Sequence, residues 1–266
     1  MRQLQAREDE PRPGESQPGG LTLAAARFFA ARMAGSWVPA YLAGRGFGEQ
    51  ALRPWTVGYA PAGWCALAAH LRDLGYPDAA IQAAGLARRT RRGALVDFFR
   101  DRAMFGIRWP DGTVAGFTGR ARPGGGQAGP VYLNSRTTGL YRKGSLLFGL
   151  YEGRRALATG ARPVLVEGPL DAIAVSAAGS YAGVSPCGTA LTSAQVALLA
   201  RTCDLRRDGV VVAFDADRAG RRAAVRAYHL LRGVTDHAVA GNDEPLLRCA
   251  HDSLPGAQTR ATCVQR

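Results

Sequence analysis

The sequence predicts an α/β fold in two parts, an α+β segment followed by an α/β unit with a mostly parallel sheet. Apolar residues recur at helical spacing from Leu21 to about Leu86, as on helices buried along one face. Short β-rich runs separated by turn residues fill about Ala94 to Gly149. From about Pro163 to Leu231, apolar runs alternate with helical patterns, the order that builds a parallel sheet with crossover helices.

Residues 1–20 are polar, with Pro, Gly, Glu and Gln, and read as a disordered lead-in. The first structured part, 21–157, begins with helices carried by Ala24, Phe28, Phe29 and Met33, then by Ala66, Leu67, His70, Leu71 and Leu74. Gly44-Arg45-Gly46, Pro54, Pro61-Ala62-Gly63 and Gly75-Tyr76-Pro77 punctuate them. A strand is expected over Ala103–Trp109, a turn at Pro110-Asp111-Gly112, and the return strand over Thr113–Thr118. Arg120–Gly129 reads as a flexible Gly-rich loop. The second part, 158–240, should place strands at Pro163–Val166, Tyr181–Ser185 and Gly209–Phe214. Its helices should cover Leu170–Ala178, Ser193–Arg201 and Arg218–Leu231. The order fades after about Thr235, and 241–266 reads as an irregular tail.

Basic residues outnumber acidic ones by 34 to 21, a net charge of +13, which points to a polyanionic partner such as nucleic acid. High-GC coding explains why Lys143 is the only lysine, but not the excess of bases over acids. The basic residues include a run from Arg88 to Arg122, which fits a solvated face or a nucleic-acid cradle. No apolar run is long enough for a membrane span, and the amino end lacks the apolar stretch of a secretory signal. Five cysteines (Cys65, Cys187, Cys203, Cys249 and Cys263) are scattered without a C-x-x-C pair. That pattern supports neither a zinc site nor a disulfide framework, so a cytoplasmic location is expected.

Ligands of a parallel sheet bind at the carboxyl ends of its strands, and acids collect there. Glu167 follows the first strand of the second part, Asp171 lies four residues on, and Asp215 and Asp217 follow the third strand. Carboxylates at strand ends often cap helices. Grouped together they repel, and a cation relieves that repulsion. Oxygen ligands without His or Cys favour Mg²⁺ or Mn²⁺, ions suited to phosphoryl or nucleotidyl transfer.

Glu167-Gly168-Pro169-Leu170-Asp171, Gly188-Thr189-Ala190-Leu191-Thr192 and Asp215-Ala216-Asp217-Arg218-Ala219-Gly220, in this order, resemble a TOPRIM domain. That metal-binding fold is shared by bacterial primases, topoisomerases and some nucleases. The preceding segments Asp97–Arg108, Gly116–Arg120, Tyr132–Ser135, Tyr141–Gly144 and Phe148–Glu152 are similar to the basic subdomain of DnaG-type DNA primases. The resemblance runs from about Leu21 to Arg232.

It implies a DNA-directed RNA polymerase of the nucleotidyltransferase class that makes short RNA primers on single-stranded DNA during replication. Its cofactor would be Mg²⁺ or Mn²⁺, with no zinc site in this chain. Its partners would be template DNA, ribonucleotides and the RNA primer, with a replicative helicase as a further candidate and no membrane. Glu167, Asp171, Asp215 and Asp217 match the catalytic acids, with Glu167, Asp215 and Asp217 as metal ligands. Arg100, Arg102, Arg120, Asn134 and Lys143 match the nucleic-acid and nucleotide-binding positions. The chain departs from the family at Val131 (usually Lys), Gly106 (usually Pro) and Thr118 (usually Gly). The family's further acidic segment has only a faint echo in Asn242-Asp243-Glu244-Pro245, as in a core truncated at its carboxyl end. The alternatives are a truncated core that binds DNA without priming, and a TOPRIM nuclease.

Overall fold

The computed structural model describes residues 18–125, 129–235 and 238–240. The first lobe opens with helices α1 (Pro18–Ala31), α2 (Val38–Ala43) and α3 (Glu49–Leu52), strand β1 (Val57–Ala60), and helices α4 (Ala66–Asp73) and α5 (Asp78–Ala83). Strands β2 (Ala87–Arg89), β3 (Leu95–Asp97), β4 (Arg102–Arg108), β5 (Val114–Ala121) and β6 (Tyr132–Asn134) follow. Strands β1, β4, β5 and β6 form one antiparallel sheet in that order, while β2 and β3 pair as a separate hairpin. Helix α1 covers the sheet because Leu21, Ala25, Phe28 and Phe29 bury one face, with Phe29 edge-on to Phe117 at 5.3 Å. Asp97 starts α4 from outside it, its carboxylate accepting from the N–H groups of Leu67 and Ala68 at 2.8 and 2.9 Å.

The second lobe runs α6 (Leu150–Ala158), β7 (Arg162–Val166), α7 (Pro169–Ala177), β8 (Tyr181–Val184), α8 (Ser193–Thr202), α9 (Leu205–Asp208), β9 (Val210–Ala213), α10 (Arg218–Leu231) and β10 (Ala238–Ala240). Its strands are all parallel, in the order β10-β9-β7-β8. Apolar residues such as Val164, Leu165, Val184, Val210 and Val211 are buried between the helices on its faces. Thr192 and Gln195 start α8 as a reciprocal capping box. Gly183 is required on β8, since a Cβ there would overlap the backbone of Ala172 in α7. That close approach seats α7, which carries Asp171.

A single apolar core joins the lobes. Val38, Leu42, Trp55, Phe105 and Phe148 pack with Leu165, Ile173, Val184 and Val211, and Trp55 stacks on Phe148 at 5.0 Å. Each large side chain buried in this way contributes about 1.5–3 kcal/mol, so the junction holds the two sheets in fixed relation.

The structure corrects the sequence reading at several points. Pro18, Gly19 and Gly20 belong to α1 rather than to the lead-in. The helical stretch contains β1, whose four residues pair with β4. Arg88 and Arg89 lie on β2, and Arg120 and Ala121 end β5 instead of opening the Gly-rich loop. Beyond Thr235 the order does not fade at once, because β10 adds a parallel strand beside β9. Asn242-Asp243-Glu244-Pro245 and the rest of 241–266 lie outside the described residues.

Candidate active site

All the strands of the second sheet direct their carboxyl ends to one edge, and the acids stand there. Glu167 leaves β7 with its carbonyl oxygen accepting from Ser185 Oγ at 2.7 Å, just past β8. Its Oε1 accepts from the backbone N–H of Asp215 at 3.1 Å, just past β9. The strand ends are therefore stitched together through Glu167. Asp171 Oδ2 accepts from the N–H of Gly168 at 3.1 Å and closes the first turn of α7. Asp217 caps α10, with Oδ1 accepting from Ala219 and Gly220 N–H at 2.8 and 2.7 Å. Helix capping thus accounts for one oxygen of Asp171 and one of Asp217.

Gly220 keeps this edge open. A Cβ there would overlap the Asp215 carbonyl and stand 2.9 Å from Glu167 Oε1. Asp215 and Asp217 are exposed. Glu167 is also exposed as a residue, yet partial burial of its carboxyl group raises its pKa, and the charges of Asp215, Asp217 and Asp171 push the same way. The edge therefore carries more negative charge than its backbone donors relieve. Among the described residues, no three His, Cys, Asp or Glu side chains converge closely enough to hold an ion. The unrelieved charge and the oxygen-only donors nevertheless fit a hard divalent cation.

Across the junction, the first lobe brings up Arg120. Its guanidinium lies 4.6 Å from the ring of Tyr41 and 5.9 Å from that of Tyr132. Arg120 stands opposite Tyr132 in the β5–β6 ladder, and β6 ends two residues on at Asn134, which reaches the second lobe just past the carboxyl end of β8. Asn134 also spans the lobes, donating from Nδ2 to the carbonyl of Cys187 at 2.7 Å, while its buried Oδ1 has no hydrogen-bond partner among the described residues. Lys143 is exposed one residue before Gly144, whose carbonyl accepts from Thr192 Oγ1. Arg100 places its guanidinium 3.5 Å from the ring centre of the exposed Trp64.

Arg102, expected among the nucleic-acid-binding residues, is turned into the fold. It is 5% exposed, and its guanidinium donates to the carbonyls of Gly119, Val131 and Pro130 at 2.8, 3.2 and 3.0 Å. Those bonds hold β4 to β5 and to the chain entering β6, and leave the charge turned inward. Two other basic residues of the run have partners within the first lobe, Arg108 with Thr56 and Gly112, and the exposed Arg89 with Asp78.

Sequence reasoning missed Tyr41, Arg45 and Asp101. Arg45 lies 5.3 Å from the ring of Tyr41, in a Gly-Arg-Gly turn read only as punctuation. Asp101 has a positive φ of 46° and accepts from Trp37 Nε1 and Tyr59 Oη, each at 2.9 Å. The spacing of Trp37 and Tyr41 across one helical turn was the available signal.

Residues 29–154 match the family model of the DNA primase catalytic core, N-terminal domain, and residues 164–243 match the Toprim-like model. The chain is 42% identical over 221 residues to the DNA primase of Synechococcus elongatus, covering 82% of this chain and 30% of that protein. It therefore spans about a third of the length of the curated relatives it matches. The RNA polymerase domain of Mycobacterium tuberculosis primase DnaG superposes with a TM-score of 0.76 at 32% identity, covering 91% of this chain and 84% of that one. A DnaG primase catalytic domain solved with single-stranded DNA superposes with a TM-score of 0.71 at 31% identity, covering 84% and 69%. No helix among the described residues is long and apolar enough to cross a membrane.

Proposed function

The chain belongs to the DnaG-type DNA primase catalytic-core family, and from that premise we propose that it extends RNA primers on single-stranded DNA. The observation that carries this reading is the seam at which β6, paired with the Arg120 end of β5, bonds through Asn134 to the loop past β8, on the carboxyl edge where the acids stand.

Glu167, Asp215 and Asp217 are the residues to hold Mg²⁺ or Mn²⁺, with Asp171 supporting them from α7. When bound, a divalent ion neutralises phosphate oxygens and lowers the pKa of an attacking primer 3′-hydroxyl. The rest of the work falls to the chain. Arg120 and Lys143 bind phosphates of the nucleotide or strand, and Arg100 binds the template. Asn134 fixes the first lobe against the Cys187 loop, so the basic and acidic groups keep their spacing. Attack of the primer 3′-hydroxyl on the α-phosphate forms the phosphodiester bond and releases pyrophosphate, and a Glu167 carboxylate oxygen not engaged by an ion would accept the hydroxyl proton.

The test is primer synthesis from labelled ribonucleotides on a single-stranded template with Mg²⁺, run beside Asp215→Ala. Product made by the wild-type chain and lost in the variant supports the proposal. DNA binding without product supports a non-priming core, and strand cleavage lost in the variant supports a nuclease.

A further inference from the structure

We propose that Tyr41 is a positioning residue whose ring sets Arg45 and Arg120 for the phosphates of the incoming nucleotide, an inference that rests on the primase reading. The two arginines come from unrelated places, one from the turn after α2 and the other from the end of β5. Their guanidiniums lie 5.3 and 4.6 Å from the centre of the same ring. Two like charges gathered around one point repel, and the electron-rich face of an aromatic ring offsets part of that repulsion. The ring is itself fixed. Trp37 meets it edge-on at 5.5 Å, and the Trp37 indole N–H is tied at 2.9 Å to the carboxylate of Asp101. Asp101 directly precedes β4 and also accepts from the Tyr59 hydroxyl at 2.9 Å, so the platform is anchored to the sheet.

The position of the pair identifies its ligand. Arg120 also lies 5.9 Å from the ring of Tyr132, its ladder partner on β6. Asn134 at the end of that strand donates at 2.7 Å to the Cys187 carbonyl just past β8, so this end of β5 faces the carboxyl edge of the second sheet. Two cations beside the acidic edge suit a phosphate chain whose other oxygens reach a metal at that edge. A strand-backbone phosphate offers the same chemistry, and separate binding measurements distinguish the two sources. The Tyr41 hydroxyl is buried and makes no hydrogen bond of good geometry among the described residues, although Arg45 stands beside it. Phenylalanine separates the ring from the hydroxyl, because it keeps the first and removes the second.

The experiment compares the full wild-type chain with Tyr41→Phe and Tyr41→Leu. Equilibrium binding is measured for ATP in the presence of Mn²⁺, and separately for a single-stranded DNA oligomer. The Arg side-chain Nε–Hε resonances report whether the guanidiniums still sit over a ring. Tyr41→Leu should weaken ATP binding about tenfold, the loss of two ring–cation contacts, and shift DNA affinity less than about twofold. Its Arg45 and Arg120 Hε signals should lose their ring-current shifts, while Tyr41→Phe keeps both the shifts and the ATP affinity. In primer synthesis the Leu variant should raise KM for ribonucleotide and leave kcat largely intact. The inference is overturned if Leu binds ATP as tightly as the wild type, if Phe loses as much as Leu, or if DNA affinity falls in parallel. A chain that binds ATP through Tyr41 but makes no primer overturns the proposed activity alone. A wild-type chain that binds no ATP overturns both.

Discussion

At the acidic edge, Glu167, Asp171 and Asp217 each accept a backbone N–H, while Glu167, Asp215 and Asp217 remain exposed to solvent. On the basic lobe, the buried Arg102 gives its guanidinium to three backbone carbonyls, and Arg120 and Arg100 lie against aromatic rings. The acids are thus held by the main chain and offered outward, whereas the bases divide into those built into the sheet and those left on its surface. Charge sign and sequence position do not separate these roles. The partner and the exposure of each group do, and substitutions on the two sides should fail in different ways.

The largest effect belongs to the acidic side. Asp215→Ala should lower primer synthesis by about a thousandfold, equivalent to about 4 kcal/mol at the transition state, with unchanged urea melting. A variant that loses stability in step with activity would make Asp215 structural and erase the contrast. On the basic side, Arg102→Leu should do the reverse. It removes the guanidinium donor from the buried Gly119 carbonyl and from the carbonyls of Pro130 and Val131 that tie β6 to the sheet. That loss should cost about 1–3 kcal/mol in urea unfolding. Unchanged stability with weakened DNA binding would return Arg102 to the ligand-binding group.

Glu152 extends the comparison to a carboxylate that is turned inward. Its Oε1 is buried, 3.8 Å from Arg108 Nε, and burial pushes its pKa up to about 7. Because the folded-state pKa is raised, the native chain holds a proton that the unfolded chain releases, and stability falls as pH rises from about 4.5 to 7. Glu152→Gln should flatten that fall and gain on the order of 2 kcal/mol at pH 8 while gaining little at pH 4.5, measured by urea melts at each pH. An unaltered pH profile would mean that Glu152 ionises freely. The smallest effect is expected at Lys143. Lys143→Gln should reduce the salt slope of single-stranded DNA binding by about one, with stability untouched. An unchanged slope would remove Lys143 from the DNA-binding surface.

The second lobe was legible because its signals are local. Apolar runs bounded by Gly and acids mark β7, β8 and β9, and the expected helix Arg218–Leu231 matches α10 from end to end. β1 was hidden because Val57–Ala60 is short and lies among helical patterns, and it becomes a strand only by pairing with β4. β10 was hidden for the same reason, since its ladder to β9 is what makes it a strand. The acids could be placed at one edge from topology alone. That Asp171 and Asp217 also cap helices follows from the same strand-end position. The fate of Arg102 could not be read, because its carbonyl partners come from β5 and from residues well downstream in the chain. Tyr41 and Arg45 escaped notice because their meeting with Arg120 joins α2 to the far end of β5.

The central claim is that the exposed carboxylates of the second lobe hold a divalent ion. Calorimetric titration of the full chain with Mn²⁺ tests it most directly, beside the triple variant Glu167→Gln, Asp215→Asn, Asp217→Asn. Saturable heat from the wild type that disappears in the variant is the predicted result. No heat from the wild type, or the same heat from both proteins, would contradict it.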